Sequence, residues 1–462
     1  MTTARLDRGA PRAAVLTLLL ASGAALGGLS AYGAYALHPL ALPLGLAAAA
    51  AALVALQRPD IGIALALTLL AAGSLGVEAV RPWLPVTLWS GFLVLASLVR
   101  PGAGSERPAG RLPPVSICLL GYVVVAVLSF AVAEQPGAAL PYVRIAVVGG
   151  ALVVAMALAV RARAHVHWLL VGVSGAALLT GLATIGQRLT GSATVGFITS
   201  SGTLVDRATG AFNQPNQLAG FLVMLVPFTI AGIVLQPRAR LYHAAALGAA
   251  LFAIYASFSR GALIALVAGI AVLLRGRRAV AALAVVALIA AVAAPDLLRE
   301  RFETLGRDGS EVATRVDIWV AAGQVWMANP LLGVGLGGFP EAYAELRLPG
   351  KDFLPDTAFE PPPHAHNLFL NVLAEQGVLG LVALLAVLAV SLRDAIRLRG
   401  SSDRLVRTIA GAGFASIVAF LVHNQLDVTL VESAGVMFLA LLGLIGTVAA
   451  RREQLASEGG RV

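Results

Sequence analysis

Charge is what this sequence has least of. Only 12% of its 462 residues are charged, where a soluble domain carries about 25%. Too few polar side chains are present to cover a water-facing surface over most of the length. Cysteine is nearly absent as well: Cys118 is the single one. No intramolecular disulfide can form, and the compartment cannot be read from cysteine usage. The strict apolar–polar alternation of a membrane β-barrel strand is missing. There is no nucleophile-elbow signature. The glycine-rich stretch Gly333-Val-Gly335-Leu-Gly337-Gly338 has no Lys-Ser/Thr after it and no βαβ pattern around it, which excludes a nucleotide loop. The net charge of +9 comes from arginines scattered between apolar runs, so it does not point to nucleic acid.

What fills the chain is apolar. Hydrophobic residues make up 58%, mean hydropathy is +0.86, and runs of about 20 apolar residues recur. The pattern predicts an all-α, polytopic integral membrane protein of fourteen spans, with twelve as the alternative. They fall near 13–36, 40–57, 61–80, 83–99, 112–133, 142–160, 168–188, 217–235, 241–257, 262–274, 279–295, 367–392, 408–424 and 433–450. The first follows Arg5, Arg8 and Arg12 in the manner of a signal peptide, but no polar mature domain comes after it, so it reads as a span. The tenth is short, and the pair around Ser259-Arg260 reads as a broken helix.

Arginines set the orientation. Clusters at Arg161/Arg163, Arg238/Arg240, Arg275/Arg277/Arg278, Arg393/Arg397/Arg399 and Arg451/Arg452 fall on one side of such a map. Short loops rich in Arg are cytoplasmic, which places both termini inside. Two loops then face out, at about 190–216 and 296–366. In the larger one, Glu311 to Ala328 has helical spacing with Val312, Val316, Trp319 and Trp326 as the apolar positions, and Asn329-Pro330 ends it. The glycines after it permit a tight turn back towards the membrane. The chain divides into N-terminal membrane helices (1–200), a membrane region with the large loop (201–450) and a cytoplasmic tail (451–462).

Polar residues gather where that loop re-enters the membrane. Pro361-Pro-Pro-His364-Ala-His366-Asn367 leads into an apolar helix reaching about Leu392. Neutral imidazole there can take or give a proton, or serve as an interfacial anchor. His366, next to the helix start, is expected to be fixed by packing, and His364, after three prolines, to be held less tightly. Arg260 sits inside an apolar stretch. An arginine in the bilayer costs roughly 2.5–3.5 kcal/mol on insertion scales, so it either snorkels or meets an anion, which guanidinium binds bidentately. Arg315, two residues from Asp317, is a surface ion pair or a second such group. In the outer stretch Arg207 to Gln217, Asn213 and Asn216 are either turn and N-cap residues or site-lining ones. His423-Asn424-Gln425-Leu-Asp427 reads as a helix cap with an interfacial histidine. Asp352, Asp356 and Glu360 near the histidines leave a metal conceivable, but His-x-His in a loop gives no fixed ligand geometry, and no metal ligand is assigned.

His364-Ala-His366-Asn367-Leu, followed by Glu375-Gln-Gly377-Val-Leu-Gly380, resembles the signature of the bacterial O-antigen ligase and O-antigen polymerase superfamily. Ser259-Arg260-Gly261 is similar to another family segment. So is Arg315-Val-Asp-Ile-Trp319 followed by Asn329-Pro330-Leu-Leu-Gly333-Val-Gly335 and Phe339. The resemblance covers about residues 200–435. It implies a GT-C-like membrane glycosyltransferase of the bacterial inner membrane, without a cofactor. The donor would be a glycan on undecaprenyl diphosphate and the acceptor a sugar hydroxyl of a lipid-linked core or polysaccharide, met on the periplasmic face. By the same resemblance Arg260 and Arg315 hold the lipid diphosphate and His366 acts on the acceptor; His364, Asn367, Arg207, Asn213 and Asn216 are the candidate substrate-binding residues beside them. A polymerase is the rival within the superfamily. A transporter is the rival outside it, and would place its polar residues mid-membrane near helix breaks, in two related halves.

Overall fold

The structure is a computed structural model that describes residues 50–72, 83–99, 112–192, 195–198, 204–274, 311–346 and 362–459. The predicted spans 13–36 and 279–295, most of 40–57, and Asp352, Asp356 and Glu360 lie outside the described residues. The elements are α1 (Pro59–Leu69), α2 (Trp83–Val99), α3 (Pro114–Ala131), α4 (Pro136–Ala159), α5 (Arg163–Thr190), β1 (Val195–Ile198) and β2 (Leu204–Arg207). After these come α6 (Pro215–Leu235), α7 (Arg240–Ala256), α8 (Arg260–Leu274), α9 (Glu311–Ala328) and α10 (Phe339–Glu345). The last are α11 (Leu368–Leu398), α12 (Arg404–His423), α13 (Glu432–Ala450) and α14 (Arg452–Gly459). Among the described residues, eight helices are long and apolar enough to cross a membrane. They coincide with the predicted spans from 112 to 450 to within a few residues, apart from the short α8.

Local chemistry explains the boundaries. Pro59, Pro114, Pro136 and Pro215 each sit in the first turn of a helix, where a missing N–H costs nothing and φ is preset. Asn367 Oδ1 accepts from the N–H groups of Phe369 and Leu370 at 3.0 and 3.1 Å and so opens α11. Asp403 opens α12 in the same way. In lipid there is no hydrophobic drive between helices, so close backbone contact has to supply the packing. Gly172 of α5 illustrates it: a Cβ there would strike the backbone of Ala64 in α1. The central elements are α13 and α6, with 89% and 78% of their apolar windows buried.

Two departures from the expected pattern shape one end of the bundle. The stretch 190–216 contains a small antiparallel hairpin, Val195 opposite Arg207 and Ile198 opposite Leu204, where only loop was expected. And α11 is broken at Gly377 (φ 62°, ψ −164°). A break inside a span leaves backbone groups that must be satisfied internally. The turn after α9 does this: Val378 N–H donates to Pro330 O (2.9 Å), Val334 N–H to Ala374 O (3.0 Å) and Gly335 N–H to Glu375 O (3.0 Å). The left-handed φ values of Gly333, Gly335 and Gly337 let that turn press on α11 and α3–α4, as the glycine run predicted.

The described part of the large loop, 311–346 and 362–366, is therefore docked on the membrane helices. Its helix α9 covers the expected residues but buries a different face: Ile318, Ala321, Ala322 and Val325 pack with Phe339, Tyr343, Ala365 and Ala374. Val316 is exposed and Trp319 and Trp326 are only partly buried. Ala365 lies between the two histidines, so α9 packs directly on the histidine loop.

Candidate active site

The site is assembled at the end of the bundle where α5, α7 and α12 finish and α6, α8, α11 and α13 start. Asp427 is its centre. The carboxylate lies 3.5 Å from His364 Nε2 and 3.9 Å from His366 Nδ1. Its Oδ2 accepts from Asn216 Nδ2 at 2.6 Å and its Oδ1 from Val428 N–H at 2.8 Å. Asn424 builds the turn that aims it: its side chain donates to Phe420 O and Thr429 Oγ1 and accepts from Thr429 N–H. The same turn holds α11, because Leu368 N–H donates to Asn424 O at 2.9 Å and Asn367 Nδ2 donates to Gln425 O at 3.3 Å.

The histidines are not equivalent, and the expectation of which is held more tightly is reversed. The His364 side chain is 5% exposed and that of His366 24%. His364 Nδ1 accepts the backbone N–H of His366 at 3.2 Å. Its proton therefore resides on Nε2, facing Asp427. His366 has a left-handed backbone (φ 49°), one of the conformations that cluster at functional sites when their surroundings enforce them. The rings stand edge to face, centroids 4.4 Å apart.

Electrostatics follow from burial and neighbours. Burial pushes His364 below its ordinary value, Asp427 pulls it up, and Arg315 pushes it down again; the net direction is down. Burial works to raise Asp427, but His364, His423, His366 and the Val428 N–H outweigh it and hold the carboxyl below the usual carboxylate range. Arg315 is thus within electrostatic reach of His364 and His423. Arg260 starts α8 after a turn in which Phe258 has φ 50°, which is the break expected around Ser259-Arg260. Its neighbour Gly261 packs against Leu426 and His423, so Arg260 borders the same turn.

The polar segment 207–217 joins the cluster. Arg207 donates from Nε to Ser257 O and from Nη2 to Asn216 Oδ1, both at 2.8 Å. Asn216 thereby bridges Arg207 and Asp427. No side-chain cap opens α6, so capping does not account for Asn216. Asn213, more exposed, donates to Glu432 Oε1 at 2.9 Å. His423 is buried (1% exposed) rather than interfacial. Asp427 and Glu432 escaped the sequence reading; Asp427 sat in a segment already noticed, but its value lies in partners far away in the chain. The ligand atoms of His364, His366 and Asp427 lie within 4.8 Å of one another, a spacing that could hold a cation.

These observations define a polytopic helical membrane protein with a buried Asp–His cluster and arginines at one end. Residues 243–385, which contain Arg260, Arg315, His364, His366 and Asn367, match a family model described as O-antigen ligase, which supports the resemblance to the bacterial O-antigen ligase and polymerase superfamily. No curated protein matches the chain. Asp427, Asn216 and Arg207 lie outside the matched residues and are brought to them by the fold.

Proposed function

We propose that this protein is a membrane glycosyltransferase of the O-antigen ligase type. It transfers a glycan from undecaprenyl diphosphate to a sugar hydroxyl of a lipid-linked acceptor such as lipid A–core. The observation that carries this reading is the placement of Asp427 against two imidazoles of which His366 is the more exposed. With Nδ1 directed at Asp427, the Nε2 of His366 is the nitrogen that takes the acceptor proton. The acceptor oxygen bonds to the anomeric carbon of the donor, the bond from that carbon to the diphosphate breaks, and its electron pair leaves with the diphosphate. Direct displacement inverts the anomeric centre. Asp427 stabilises the imidazolium that forms; base assistance of this kind is typically worth 10²–10⁴-fold. A separation of 3.9 Å is longer than a hydrogen bond, and catalytic contacts tighten when substrate arrives.

Arg260 and Arg315 neutralise the diphosphate as its charge grows, and Asn367, Asn213, Asn216 and Arg207 bound the substrate site. Arg161, Arg163, Arg238, Arg240, Arg393, Arg397, Arg399, Arg404, Arg407 and Arg451 lie at the opposite end of the bundle. That distribution favours a cytoplasmic location for that end and for both termini, with the site on the periplasmic side of the inner membrane. The test is a purified assay with a polyprenyl-diphosphate-linked glycan and lipid A–core, run with and without EDTA. Transfer that survives EDTA supports arginine-based charge stabilisation. Loss that returns with Mg²⁺ or Mn²⁺ would assign His364, His366 and Asp427 to a cation instead. No transfer under either condition would overturn the reading.

A further inference from the structure

Ala365 separates the two histidines, and its N–H donates to Asn371 Oδ1 at 3.0 Å. Asn371 Nδ2 donates in turn to Glu375 Oε2 at 3.1 Å. Both side chains are buried, Asn371 at 4% and Glu375 at 1% exposure. A carboxyl group buried at a break in a membrane helix is costly, and a leucine would fill the space more cheaply. The residue's main chain is anchored, its oxygen accepting from Gly335 N–H and Ser129 Oγ, each at 3.0 Å; the N–H groups of Gly337 and Phe339 lie near the carboxyl, whose Oε1 has no hydrogen-bond partner among the described residues.

The direction of the hydrogen bonds suggests why it is there. An asparagine amide can sit either way round, and its partners decide. Glu375 Oε2 accepts here whether the group is ionised or holds a proton on Oε1, so Asn371 turns its NH₂ to Glu375. Its carbonyl oxygen is then left facing Ala365. On the other side of His366, Leu368 N–H is fixed to Asn424 O. His366 is clamped between these two points in a left-handed backbone conformation (φ 49°) that its surroundings must enforce.

We propose that Asn371 and Glu375 are positioning residues for His366. Glu375 sets the orientation of the Asn371 amide, the amide fixes the N–H of Ala365, and this holds the His366 ring towards Asp427. The inference rests on the reading of His366 as the base.

Asn371→Asp keeps an acceptor for Ala365 but sets an oxygen against Glu375. With Asn371→Asp and Glu375→Gln together, the new glutamine NH₂ again donates and the aspartate again faces Ala365. The full-length protein is assayed with a polyprenyl-diphosphate-linked glycan as donor and lipid A–core as acceptor. The single Asn371→Asp variant should lose about 10²-fold in kcat, the scale of a small misplacement, with donor KM unchanged, and the double variant should recover most of it. A readout independent of transfer is carbethoxylation by diethyl pyrocarbonate, followed residue by residue by mass spectrometry. In the parent, His366 should react and His364 resist; Asn371→Asp should expose His364, and the double variant should protect it again. Transfer by the parent with kcat and labelling indifferent to the substitutions, or a double variant no better than the single, overturns the positioning role. A parent without transfer whose labelling follows the pattern upholds the clamp while the glycosyltransferase reading fails.

Discussion

Asn216 and Asp427, 211 positions apart in the sequence, share a 2.6 Å hydrogen bond, and through it the segment that opens α6 and the turn that closes α12 act on one carboxylate. Asp427→Asn leaves the side chain's shape but removes the charge opposite His366. Transfer should fall by about 10²–10⁴-fold, the size of the general-base contribution. The measurement is turnover at matched membrane levels; less than a few-fold loss would take Asp427 out of the mechanism.

The two histidines should separate by the kind of damage their loss does. His366→Ala should abolish transfer while leaving the apparent Tm in detergent close to the parent's. His364→Ala empties a buried position packed on Asp427, so it should lower both the apparent Tm and the yield of folded protein, with activity lost in proportion to folding. An active His366→Ala variant would leave the loop as an anchor and reopen the transporter reading.

Acid should destabilise the protein through His364. Its folded value lies below its ordinary one near 6.5, so above that pH both states are neutral there and its contribution is complete. As pH falls below 6.5 the unfolded chain takes up the proton first, and stability declines until the folded value is passed. Asp427 adds a second loss only near and below the usual carboxylate range. Apparent Tm measured from pH 8 to pH 5 should fall, and His364→Gln should flatten that part of the curve. An equal slope in the variant would assign the acid sensitivity elsewhere.

Orientation is checked by single cysteines in a Cys118→Ala background. Asn329 and Ser402 are both exposed and sit at opposite ends of the bundle. Asn329→Cys should react with an impermeant maleimide in whole cells, and Ser402→Cys only after permeabilisation. Labelling of the Ser402 position alone from outside would invert the map.

Helix positions were legible because a span needs a long apolar run whatever it packs against; α3 to α7 and α11 to α13 follow from that requirement alone. The place of the histidine loop was legible because one segment carries two imidazoles and, in Asn367, the cap of its own helix. Asp427 was not, because nothing within ten residues on either side says that two imidazoles and an amide will meet it. The buried face of α9 was misread for the opposite reason. Its aromatic residues dominate any local pattern, while the face that packs with Ala365 and Ala374 is the one that carries Ile318, Ala321, Ala322 and Val325. The turn at Gly333 to Gly338 was expected to lead back to the membrane, but that it would supply hydrogen bonds to a broken α11 depends on a partner helix some forty residues downstream.

The turn bearing Asp427 lies between α12 and α13, downstream of both histidines. A ribosome therefore makes the histidine loop before its counter-charge, with α12 still to be inserted when His366 emerges. Until that turn is in place the two imidazoles have no carboxylate to face, so a chain stopped before it would carry the loop and lack the charge that defines the cluster.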